Sequence, residues 1–480
     1  MTEAVVGETP RAGAGAGVVV GDAPPVSARY RTYALILLML INAVNILDRM
    51  VITNLIEPIK EDLNLTDGQV GAMAGFYFAV VYTLLGIPLA RWADRGDRPR
   101  ILTLALTVWS GFSLLGGFAQ NFAMLVASRM GVAVGEAGCS PTAHSLLTEY
   151  TPREKRAMAL SVYSMGGPIG AMAGMAMGAV VAESYGWRTA FLVAGMPGLV
   201  LALFAIFTLK EPRRALKAAG AAAARAAEHV PIRAAVRVLS RKPTFWFFAI
   251  GAALYAVVAY AHSHFLASYF VRNYTPELTE LAAGFGMQPR GFLGTALGVI
   301  SGVGGIAGSL IGGWFADRFG ARDLRWYGVL PAVFPLLSTP LLWWAFLTPN
   351  LPLALLLLIV PTIGHALWYG PVYGGVQGLV PPGMRATAAA VLLFVMNMIG
   401  LGGGPTLFGI ANDMMTNRLL ADAGLTVSAC HQAVGEAAAI CATASAKGIR
   451  ETMLWSTALM ILPMICFWLS RRTIRQDMES

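Results

Sequence analysis

Residues 31–56 read RTYALILLMLINAVNILDRMVITNLI, and past the opening Arg31 the only charges before Ile56 are Asp48 and Arg49. A second apolar run, 122–144, carries Arg129 and Glu136. A charge at the centre of a bilayer costs at least about 2.5–3.5 kcal/mol on insertion scales, so it needs a partner or a wet cavity. Asp48 and Arg49 point roughly 100° apart on a helix and do not simply neutralise each other. Arg129 and Glu136 share a face about 10 Å apart along the axis, too far for a direct pair. Asp48 is a third group placed to bridge them. Two acids and two bases in one bundle make a proton-exchange system, because breaking one contact changes which carboxylate holds a proton. Asp48 and Glu136 are the expected proton-responsive pair, with Arg129 as the switchable partner. A static network that locks the two helices is the competing reading. Arg49 and Arg129 are also the fixed cations deep in the spans, suited to a phosphate or carboxylate headgroup.

The C-terminal half offers other chemistry. One apolar run holds Tyr255, Tyr260, His262 and His264, and another holds His365, Trp368, Tyr369, Tyr373 and Gln377. Neither 244–270 nor 353–377 contains Asp, Glu, Lys or Arg. A charged half facing an aromatic half suits an amphipathic guest with a polar head and an apolar tail. Packing is the competing reading for each single aromatic. No third ligand accompanies His262 and His264, so no metal is expected, and no cofactor either.

Composition says what must position these residues. The 480-residue chain is 56% hydrophobic and 13% charged, with mean hydropathy +0.62. Soluble domains carry about 25% charged residues. A bilayer core needs roughly 20 apolar residues per helix. An all-α membrane protein follows, with twelve spans at 31–56, 69–91, 100–119, 122–144, 157–182, 187–209, 244–270, 293–316, 326–347, 353–377, 384–410 and 452–470. With the N-terminus inside, the inner connections hold 26 of the 35 Lys and Arg and the outer ones 7. This bias predicts both termini in the cytoplasm of a plasma membrane and explains the net charge of +9 without nucleic acid.

Residues 1–30, rich in Gly, Ala and Pro, read as a disordered cytoplasmic tail. Residues 31–209 and 244–470 read as two six-helix bundles. The basic, Ala-rich 210–243 between them reads as an amphipathic linker on the inner leaflet, and 471–480 as a second tail. Cys430 and Cys441 fall in one outer loop, where a disulfide is allowed.

The halves repeat. WADRGDRPR (92–100) echoes WFADRFGAR (314–322), with Asp94 and Asp317 223 residues apart. Arg156 and Arg385 are 229 apart, and Gly170 and Gly400 230 apart. Duplicated bundles fit this spacing. The first echo resembles the loop signature of the major facilitator superfamily, G-x-x-x-D-R-x-G-x-R-R. Ala90 stands where that pattern has Gly, followed by Asp94, Arg95, Gly96, Arg98 and Arg100; the second copy has Gly313, Asp317, Arg318 and Gly320. RMGVAVGEA (129–137) and GGPIGAMAG (166–174) are similar to further superfamily elements. Within the superfamily, NILDRM with GVAVGEA resembles the spinster family of lipid transporters, whose Asn-x-x-Asp-Arg is met by Asn45, Asp48 and Arg49.

The resemblance implies two pseudo-symmetric six-helix bundles working by alternating access. It adds Asn45 to the substrate-binding set of Arg49, Arg129, Tyr255, Tyr260, His365, Trp368, Tyr369 and Tyr373. It also implies a gate between the bundles from Asp94, Arg95, Arg98, Arg156, Asp317 and Arg318, with Asp94 meeting the start of the eleventh helix. The expected activity is proton-coupled transport of an anionic amphipath, a lysophospholipid or sphingoid phosphate, by a monomer among membrane lipids. A soluble organic anion or a drug is the alternative cargo. An enzyme is not expected: Ser140 and His144 have no orienting acid, and no P-loop is present.

Overall fold

A computed structural model describes residues 26–152, 155–212, 232–320, 322–381, 384–430 and 432–479. Of the expected tail 1–30, residues 1–25 lie outside them, as do residues 213–231 of the expected linker 210–243; within the described parts, the first helix already begins at Ala28, and Ile232–Ser240 and Ile474–Glu479 are helical. Twelve long helical rods run back and forth: α1 (Ala28–Leu63), α2 (67–95), α3 (Arg98–Gly116), α4 (Phe122–Tyr150), α5 (Arg156–Tyr185), α6 (Trp187–Thr208), α7 (Pro243–Gly284), α8 (Pro289–Gly320), α9 (Trp326–Leu347), α10 (Leu351–Gly378), α11 (385–423) and α12 (Glu436–Ser470). Eleven are long and apolar enough by themselves to cross a membrane. The twelfth is α3, whose basic start at Arg98, Pro99 and Arg100, with Thr103, Thr107, Ser110 and Ser113 after it, lowers its hydropathy.

The spans sit where expected, but several rods extend well past them. The seventh span was expected to end at 270 and runs to Gly284; the eleventh runs to 423; the twelfth begins at Glu436 rather than 452. Hydropathy marks where the lipid ends, whereas the helix continues as long as polar residues keep its backbone bonded. These extensions all lie on the face opposite the termini.

Each half packs around its own core. In the first half, Leu38, Phe78, Trp109 and Val132 belong to one buried cluster; in the second, Phe248, Trp368 and Leu392 belong to another. A third cluster joins the halves on the face away from the termini, with Ile52 and Leu55 of α1 beside Phe265 of α7 and Phe408 of α11. Helix pairs α5–α8 and α2–α11 meet there on glycines. A Cβ added to Gly71 would lie 2.2 Å from the Pro405 carbonyl oxygen, and one on Gly294 would lie 2.8 Å from that of Met175. Cys430 and Cys441 are disulfide-linked at this same face.

Candidate functional site

Asp48, Arg49, Arg129 and Glu136 come together at the centre of the first half, as two crossed pairs. An Arg129 Nη1 donates to Asp48 Oδ2 at 3.3 Å, while Arg49 Nε donates to Glu136 Oε2. The expectation that Asp48 bridges Arg129 and Glu136 is therefore replaced. Arg49 points away from its neighbour and takes the glutamate for itself.

Three residues with no charge complete the arrangement. Ser113 of α3 donates its hydroxyl to Asp48 Oδ1. Phe78 of α2 lies against both cations, 5.2 Å from the Arg49 guanidinium carbon and 5.4 Å from that of Arg129, and Tyr82 lies 4.6 Å from Arg49. An aromatic face attracts a desolvated cation by about 2 kcal/mol or more. Asp48, Arg129 and Glu136 are all at most 2% exposed. Three buried polar atoms in this zone have no hydrogen-bond partner among the described residues: Glu136 Oε1, Arg129 Nε and Asn45 Nδ2. Asp48, by contrast, has both oxygens engaged.

Across the molecule the expected aromatics form one stack. Trp368 and Tyr369 have ring centroids 4.3 Å apart, Tyr255 lies 5.3 Å from Trp368 and 5.7 Å from His365, and Tyr369 lies 6.1 Å from Tyr373. Tyr260 packs against the cores of both halves and so stands between stack and charges. Tyr255, His262 and His365 line a cavity of about 140 Å³ inside the second half, with Ser301, Ser338 and Thr362. His262 is paired with the Ser456 hydroxyl at 2.9 Å, and His264 Nδ1 sits 2.8 Å from the Tyr260 carbonyl.

The residues expected to gate are more scattered. The side chains of Asp94, Arg95 and Asp317 lie outside what the structure describes. Arg318 is exposed, and Arg156 donates to the nearby Thr151 carbonyl at 3.1 Å. Arg98, expected in the gate between the bundles, is instead fully buried inside the first half. Its two Nη atoms grip Glu149 at 2.8 and 2.6 Å, and its backbone N–H donates to Glu211 at 2.8 Å. This bidentate clamp ties α3, α4 and the residues after α6 within the first half.

Sequence reasoning missed the polar contacts that join the halves. On the face opposite the termini, Arg272 of α7 holds Glu57 and Asp67 at 2.6 and 2.7 Å, and Lys60 also reaches Asp67 at 2.6 Å. Asn412 of α11 donates to Asp67 as well, at 2.6 Å. Arg272 and Lys60 entered the sequence reading only as charges outside the spans, although their acidic partners were equally visible. The described ion pairs and hydrogen bonds between the halves gather at this face, so it is closed.

The model of the Major Facilitator Superfamily matches residues 38–405. An MFS-type efflux pump of Mycolicibacterium smegmatis is 31% identical, over 92% of this chain and 92% of its own. Protein spinster homolog 1 of Xenopus tropicalis is 27% identical, over 81% of this chain and 74% of its own. The crystal structure of a bacterial homologue of the human lysosomal transporter Spinster, inward-facing and unoccupied, matches with a TM-score of 0.83 at 30% identity, over 94% of this chain and 99% of that one. Its occupied, inward-facing form matches with a TM-score of 0.79. The chain belongs to the major facilitator superfamily, as a multi-pass membrane transporter of the spinster type rather than an enzyme.

Proposed function

We propose that this transporter is a proton-coupled secondary carrier of an anionic amphipath, of the lysophospholipid or sphingoid phosphate type. The observation that carries the reading is the crossed pairing, with one glutamate oxygen left unpartnered. Stranding one member of a buried ion pair costs about 3–5 kcal/mol. A proton arriving on Glu136 releases Arg49 only if another anion replaces the glutamate. A phosphate or carboxylate headgroup is such an anion, and the exchange keeps the local charge balanced. The aromatic stack in the second half offers its faces to the apolar part. Asp48 holds Arg129 beside this exchange, with Asn45 next to them.

In this reading 31–209 and 244–470 are the moving bundles, 210–243 is their tether, and a monomer sits in the plasma membrane with its termini inside. The closed face is then the outer one. Asp94, Arg95, Arg156, Asp317 and Arg318 belong to the inner gate, which closes in the opposite state, while Arg98 braces the first half behind it.

A second cargo is favoured by a separate observation, the similarity to an efflux pump: a drug or soluble organic anion. One assay separates the two. Proteoliposomes are given candidate cargoes while internal pH is followed, with Glu136→Gln as control. Proton flux evoked by lysolipids or sphingoid phosphates and absent in the variant supports the lipid reading. Flux with soluble anions or drugs alone replaces the cargo, and flux unchanged in the variant removes Glu136 from coupling.

A further inference from the structure

Two carboxylates on the closed face do the same thing to two different helices. Asp413 of α11 accepts the backbone N–H groups of Asp67 and Gly68 at 3.0 and 2.7 Å, at the first turn of α2. Glu183 of α5 accepts those of Arg290 and Gly291 at 2.9 and 2.6 Å, at the first turn of α8. Each crosses from one half to the other. The first N–H groups of a helix have no partner inside it, and its start carries a partial positive charge, so a carboxylate there satisfies both.

The two contacts are images of one another under the internal repeat. The repeat spacing for the second helix of each half is 223, as between Asp94 and Asp317, and it carries Asp67 and Gly68 onto Arg290 and Gly291. For the fifth helix the spacing is 230, as between Gly170 and Gly400, and it carries Glu183 onto Asp413. Both glycines leave room for the incoming oxygen. A Cβ on Gly68 would lie 3.0 Å from Asp413 Oδ2, and one on Gly291 would lie 3.2 Å from Glu183 Oε2. One turn deeper the match continues: Gly71 meets the Pro405 carbonyl and Gly294 that of Met175, again 223 and 230 apart.

We propose that Glu183 and Asp413 are a symmetric pair of latches that set how often this face opens. The duplication put one latch on each side of the pseudo-twofold axis, so opening this face breaks both caps along with the Arg272 and Asn412 contacts beside them. The surrounding charges differ: Asp413 sits beside the Asp67–Arg272–Lys60 cluster, whereas Arg290 near Glu183 pairs, among the described residues, with the exposed Glu61 at 3.2 Å. The contacts themselves do not. The inference goes beyond cargo and proton coupling and holds for any cargo carried by alternating access.

The test is distance measurement by spin labels on the full chain, in a background with Cys139→Ser and Cys466→Ser. One label pair, Phe118→Cys with Thr279→Cys, reports the closed face; another, Arg100→Cys with Arg472→Cys, reports the termini face. All four positions are exposed. Loss of a helix cap changes an equilibrium about fivefold. Glu183→Ala and Asp413→Ala are each expected to raise the ratio of open to closed at the first pair about fivefold, and together about 25-fold, since distant sites add. The second pair must shorten in the same samples. Glu183→Gln and Asp413→Asn, which keep one acceptor oxygen, give smaller shifts in the same direction. Unchanged distances in the double variant overturn the proposal. So does broadening at both faces at once, which is loss of packing rather than release of a latch.

Discussion

Ser113 is the least conspicuous residue at the charge centre and decides how its two acids differ. Its hydroxyl donates to the Asp48 oxygen that Arg129 leaves free, so that carboxylate is fully engaged. Glu136 keeps an oxygen with no described partner. The proposed division of labour follows: Glu136 receives the proton, and Asp48 holds Arg129 in place. Losing a hydrogen bond to a charged group costs about 1.5–3 kcal/mol. Ser113→Ala is therefore expected to slow proton-driven flux roughly ten- to a hundredfold, with Ser113→Thr largely restoring it. Asp48→Asn and Glu136→Gln should each abolish that flux in protein that still folds. Wild-type flux in Ser113→Ala would show that the hydroxyl positions nothing. The four charges were legible because a charge in an apolar run is conspicuous. Their pairing was not, since a helix's sequence gives the direction of each side chain and not the rotation of its neighbours. Ser113, Phe78 and Tyr82 gave no signal at all, because hydroxyls and rings are ordinary inside membrane helices.

At the scale of the element, α5 shows a pattern that the sequence displays openly. Gly166, Gly170, Gly174 and Gly178 recur every four residues, so they line one face. Added Cβ atoms at the first three would lie 2.1–2.5 Å from the carbonyl oxygens of Met39, Ala43 and Leu47 on α1. Without a hydrophobic driving force between helices in lipid, this close backbone approach supplies the packing. It also fixes the azimuth of α1, and with it the directions of Asp48 and Arg49. Gly170→Leu is expected to force the helices apart at a cost of about 1–3 kcal/mol, the usual penalty of overpacking. A thermal unfolding midpoint several degrees lower, together with impaired flux, is the expected outcome. An unchanged midpoint would mean that α1 rides loosely on α5. Gly167, with no atom within 4 Å of an added Cβ, is the internal control, and Gly167→Ala should be silent. What the sequence concealed at this scale was the reach of the helices past the lipid, which is where the closing contacts sit.

The whole molecule is two copies of one bundle, and its faces follow from that. An even number of crossings puts both termini on one face and the Cys430–Cys441 hairpin on the other, beside the closed contacts. The hairpin lines a cavity of about 180 Å³ with Glu57, Lys60 and Asp67, so the disulfide stands at the rim of the contact region between the halves. Orientation and redox state are therefore one question. If the positive bias places the termini in the cytoplasm, the hairpin faces an oxidising space and the bond persists; in the reverse orientation the glutathione pool would reduce it. Protein purified without reductant and denatured is expected to expose two thiols, those of Cys139 and Cys466, and four after reduction. Loss of the bond removes a cross-link worth about 3 kcal/mol for a loop of this size. Cys430→Ser with Cys441→Ser is then expected to loosen the ends of α11 and α12, read as faster amide exchange there. Four thiols in freshly purified, unreduced protein would place the hairpin on the reducing side. That would invert the topology and make the closed face described here the inner one.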